Sequence, residues 1–107
     1  MARLLSVAQT WEALRNVAFE VAQDNGFHYR DTAPVFYGDP AMLSVTSARM
    51  AFHLILLPDG EARFKVKHPT KTMEAVANIL DFDAEEFRRL LADGFAASAR
   101  KAEKELA

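Results

Sequence analysis

The apolar positions of this chain follow two rhythms, and each change of rhythm marks an element. From Ser6 to Asn25, Val7, Trp11, Leu14, Ala18 and Val21 recur at helical spacing. Gln9, Glu12, Asn16, Glu20 and Gln23 fall on the opposite side, the pattern of an amphipathic helix lying on a core. Ser6 with Gln9 matches a capping box for the first turn, and Gly26 supplies a C-terminal stop that tolerates positive φ. Phe19 lies off the apolar stripe, toward the polar flank.

From Met50 the period shortens to two. Met50 to Leu57 is rich in strand formers, Pro58-Asp59-Gly60 is a turn, and Glu61 to Lys67 alternates residue by residue. Proline presets φ early in the turn, and glycine accepts the left-handed conformation that closes a three-residue hairpin loop. That loop sets Leu57 opposite Glu61, so Met50, Phe52, Leu54, Leu56, Ala62, Phe64 and Val66 share one face. This even-numbered face is apolar throughout and must be covered. The odd-numbered face carries Arg49, His53, Ile55, Arg63, Lys65 and Lys67, with Ala51 and Leu57 among them. Upstream, Val35-Phe36-Tyr37 and Met42 to Thr46 read as two short strands on either side of the Gly38-Asp39-Pro40 turn. His68-Pro69 ends the last strand, because proline has no amide for the ladder.

Helical spacing then returns. Met73, Val76, Ala77 and Leu80 lie at i, i+3, i+4 and i+7, which predicts a short helix capped by Thr70 or Thr72. After Asp81-Phe82-Asp83 a longer helix is predicted, with Asp83 and Glu86 capping its start. Phe87, Leu90, Leu91, Phe95, Ser98, Ala102 and Leu106 form its inward stripe. Gly94 costs this helix about 1 kcal/mol against alanine. Beside Ala96, Ala97, Ser98 and Ala99 it predicts close approach by another element, or a kink. Together these elements make one α+β domain over residues 1–107. An antiparallel sheet of two to four strands with a central hairpin is covered on one face by an N-terminal helix and two C-terminal helices.

Composition narrows the function more than it specifies one. With 50% hydrophobic and 26% charged residues, the chain has the balance of a folding domain. Its net charge of −2 offers no global attraction to nucleic acid or anionic membrane, so either contact would need a local basic patch. The absence of cysteine removes disulfides, thiolate nucleophiles and Cys-type zinc sites, and accords with a cytoplasmic location. No membrane span is expected, because Gln9, Glu12, Arg15 and Asn16 interrupt the N-terminal stretch and Met50 to Leu57 is too short. His28, His53 and His68 are widely separated, no serine sits in a nucleophile elbow, and no glycine-rich phosphate loop exists. No metal, cofactor or enzymatic activity is therefore expected.

Two surfaces carry binding expectations. Thr72 to Asp93 reads as two short helices joined by a tight turn, with Ala77 at a small inter-helix position and Phe87 and Leu90 at buried positions of the second. This stretch resembles the helix-turn-helix of bacterial DNA-binding proteins, and the resemblance implies DNA contacts through Arg88 and Arg89. It departs from the pattern at Asp81, where a turn glycine is usual, and at Asp83, Glu85 and Glu86, whose carboxylates would oppose phosphates. The other surface is the odd-numbered hairpin face, whose apolar centre and cationic rim have the composition of a protein–protein or oligomer interface. The expectation is a small non-enzymatic binding or assembly protein, associating with itself or a protein partner through Arg49, His53, Ile55, Arg63, Lys65 and Lys67. A DNA-binding regulator is the alternative.

Overall fold

The computed structural model describes residues 7–32, 41–57 and 59–104. Its elements are α1 (Val7–Asn25), β1 (His28–Thr32), β2 (Ala41–Thr46), β3 (Ala51–Leu56), β4 (Glu61–Lys67) and β5 (Thr72–Asn78). A single 3₁₀ turn (Ile79–Asp81) leads into a continuous helix, α2, over residues 84–104. The sheet is antiparallel throughout, and its strands lie side by side in chain order. The Ser6 cap and the strand expected at Val35-Phe36-Tyr37 fall outside the described residues.

The central hairpin forms as its turn chemistry requires. The Leu57 N–H donates to the Glu61 carbonyl at 2.8 Å, and the Gly60 N–H donates to the Leu57 carbonyl at 3.0 Å. Gly60 sits at φ +93°, a region that strains any residue with a Cβ. The register pairs Leu56 with Ala62 and Phe52 with Val66, so the even-numbered side chains face the core. Leu43 and Val45 of β2 join them opposite Leu54 and Phe52. Ser47 makes the bend between β2 and β3. Its Oγ accepts the Met50 and Arg49 amides at 3.0 and 3.3 Å. Arg49 therefore belongs to the turn, not to the ladder where the alternation had placed it.

Both helices pack on this core face. α1 contributes Trp11, Leu14, Val17, Ala18 and Val21, and α2 contributes Phe87, Leu91, Phe95 and Ala99. Phe52 is the meeting point, with ring centroids 6.3 Å from Phe64, 6.0 Å from Phe87 and 5.9 Å from Phe95. Each such side chain contributes about 1.5–3 kcal/mol by leaving water. The start of α2 is capped as its sequence predicts, with Asp83 Oδ1 accepting the Glu86 amide at 2.7 Å.

Three further expectations are corrected. Thr72–Asn78 is a strand rather than a helix, and with the unexpected β1 it brings the described strands to five instead of two to four. The segment carries both rhythms, since Met73, Ala75 and Ala77 also alternate with Glu74 and Asn78. β4 settles the choice by offering a partner to every residue, from Lys67 opposite Thr72 to Glu61 opposite Asn78. Only one C-terminal helix remains, so the helix-turn-helix arrangement is not formed. Arg88 and Arg89 stand near the start of α2 after a strand and a 3₁₀ turn, and Arg88 is ion-paired with Glu20 of α1.

The third correction concerns one of the two readings of Gly94, close approach by another element. A Cβ there would meet nothing within 4 Å, so no element approaches closely. The glycine lies instead in a π-wound stretch, Leu90–Ala96. The buried residues Phe87, Leu91, Phe95 and Ala99 are spaced by four. In a regular α-helix each such step overshoots a full turn by roughly 40°. Wider π turns absorb that overshoot and keep the four side chains on one line. No described helix is long and apolar enough to cross a membrane.

Candidate functional site

The helices cover the sheet unevenly. An apolar groove of about 420 Å³ opens between α2 and the core face of β3–β5. Leu90, Gly94 and Ser98, four residues apart, form its helical wall, and the missing side chain of Gly94 leaves that wall open. Phe64 and Phe82, with centroids 5.1 Å apart, line its inner side. β5 is the outer wall. Met73 is 46% exposed and Leu90 45%, while Val76 on the opposite side of β5 is 62% exposed. These large apolar side chains gather at one border of the molecule.

That border is also a sheet edge. Among the described residues no strand pairs with the outer side of β5. Sheet edges are usually blunted by charge, proline or a bulge, because a bare edge templates pairing with another chain. β1, at the other edge, carries His28, Arg30 and Asp31 along five residues. β5 runs seven residues with one charge, Glu74, no proline and an unbroken ladder. One edge is protected and the other is not.

The outer face of the sheet has neither helix over it. The register lays its side chains in rows, with Arg30, Ser44, His53, Lys65 and Glu74 in one and His28, Thr46, Ala51, Lys67 and Thr72 in the next. Of the residues expected to bind a partner, His53, Ile55, Arg63, Lys65 and Lys67 do share this face, while Arg49 sits apart in its turn. Arg63 is paired with Glu61 at 2.8 Å. Burial pushes the His53 imidazole below its ordinary pKa, and the neighbouring Lys67 and Lys65 push in the same direction. His28 and Arg30 join the face unanticipated, because the strand that holds them has almost no apolar residues to announce it.

A separate cluster fastens α1 to β1. Asp31 accepts from Arg15 Nε and Nη2 at 3.1 and 2.9 Å and from the Tyr29 hydroxyl at 2.9 Å. Burial works to raise the Asp31 pKa, but the hydrogen bonds from Tyr29 and Arg15 outweigh it and hold the carboxyl low. Tyr29 is pushed up to about 12, by burial first and then by its bond to Asp31. Among the described residues no group of three histidine or carboxylate side chains is placed to hold a metal. Neither a family model, nor a curated protein, nor a solved structure matches this chain.

Proposed function

We propose that the protein is a non-enzymatic assembly domain that pairs with a second copy of itself through β5 and the groove beside it. The observation that supports this reading is the asymmetry of the two edges, with β1 charged and β5 bare and apolar. Two β5 edges meeting antiparallel about a twofold axis would give both strands their missing hydrogen bonds at once. The same contact would cover Met73 and Leu90 at the groove. One carboxylate per edge adds little repulsion. The hairpin's outer face is less suited to this role, because β3 and β4 are interior strands and offer side chains without free backbone.

Light scattering coupled to gel filtration tests the assembly. Val76 points away from the core and is largely exposed, so Val76→Lys charges the edge without touching the interior. The wild type is expected to run as a dimer, and the variant as a monomer with an unchanged circular dichroism spectrum. A wild type that stays monomeric into the hundreds of micromolar would overturn the proposal, as would a variant that dimerises undiminished.

A further inference from the structure

The opposite end of the outer face holds a different constellation. There, Arg30 and His28 of β1, Ser44 and Thr46 of β2 and His53 of β3 line a polar recess of about 660 Å³. We infer that this recess binds a tetrahedral oxyanion of the phosphate type. It shares no residue with the β5 surface and stands whether or not the chain dimerises.

The register brings the five side chains together. Arg30 is opposite Ser44, which is opposite His53, and His28 is opposite Thr46 in the adjoining row. Facing residues on neighbouring strands lie about 5 Å apart, so the set spans roughly 10 Å across three strands. Its chemistry is one-sided. Two imidazoles, a guanidinium and two hydroxyls can all donate, and no carboxylate stands on the outer face of β1–β3. A guanidinium fork fits two oxygens of such an anion, and hydroxyls can donate to the others.

The charges around the recess favour an anion as well. Among the described residues Arg15, Arg63 and Arg88 each hold a carboxylate, whereas Arg30 holds none. Lys65 and Lys67 flank His53 from β4, and Glu74 lies beyond Lys65 on β5. Glu103 borders the recess from α2, where it accepts the Ala48 amide at 3.2 Å. An arriving dianion would offset the cations that oppose protonation of His53, so binding and imidazole protonation should be coupled.

Proton NMR of the histidine ring signals tests this with sulfate, a tetrahedral dianion that does not itself titrate near neutral pH. Against chloride at equal ionic strength, sulfate should raise the His53 titration midpoint by about one pH unit. Arg30→Gln, a change at an exposed position, should remove more than half of the effect, and Ser44→Ala should weaken it. Equal midpoints in sulfate and chloride would overturn the inference. A full sulfate effect persisting in a folded Arg30→Gln protein would do the same.

Discussion

Replacing Gly94 by alanine should make the protein more stable, although the position lies deep in a helix and beside an aromatic cluster. Glycine is disfavoured in a helix because its backbone loses the most freedom on folding, and alanine relieves about 0.4–1 kcal/mol of that cost. Whether the relief survives depends on the space around the new methyl group. Nothing lies within 4 Å of it, so no repacking penalty is due. A close helix contact at Gly94 would instead cost about 1–3 kcal/mol for overpacking. The two readings thus differ in sign. Urea unfolding at equilibrium resolves them, since with an m-value of about 1.5 kcal/mol/M the midpoint should rise by about 0.3–0.7 M. Thermal unfolding should show a gain of roughly 2–6 °C. Both proteins must be compared at one concentration, or in the Val76→Lys background, because dimerisation would add its own stabilisation. A midpoint that falls would refute the claim that the groove wall is open at Gly94.

Two further outcomes follow from the core and from the α1–β1 clasp. Phe52→Ala empties the centre of a four-ring cluster and should cost about 3–5 kcal/mol, read from the same urea titration. A loss below about 1 kcal/mol would mean that the rings do not meet there. Phenolate absorbance in an alkaline titration should show Tyr29 ionising only near pH 12. Because the folded value lies above the unfolded one, this stabilisation is complete below about pH 10 and is lost as pH rises through about 12. Asp31→Asn should bring the Tyr29 midpoint down.

How much could be read in advance depended on whether an element's own residues decide its form. The β3–β4 hairpin was legible because loop length fixes register, and register fixes which residues turn inward. The α1 stripe was legible for the same local reason. Thr72–Asn78 was not, since Met73, Ala75 and Ala77 fit a strand as well as Met73, Val76 and Ala77 fit a helix, and only the free side of β4 breaks the tie. β1 was missed because an edge strand that directs Tyr29 and Asp31 toward α1 has no apolar alternation to display. Phe19, unplaced by its helical position, packs edge-on against Tyr29 at 5.5 Å. The candidate sites divide along the same line. His53, Lys65 and Lys67 were readable from the hairpin, whereas Arg30 and His28 needed β1, and Met73 and Val76 needed β5.

The order of strands also sets a schedule for folding. With each strand beside its sequence neighbour, every ladder closes over a short separation, and the sheet can zip progressively from the hairpins. The layer that seals it does not share this locality. Phe52, Leu54 and Leu43 wait for Phe87, Leu91 and Phe95, which follow every strand of the sheet in the chain and so leave the ribosome after it. Through that interval a nascent chain holds a sheet whose core face only α1 can cover, beside a bare β5 edge. Aggregation in the cell should therefore respond most to changes that slow the docking of α2, even where they leave the equilibrium stability of the finished protein untouched.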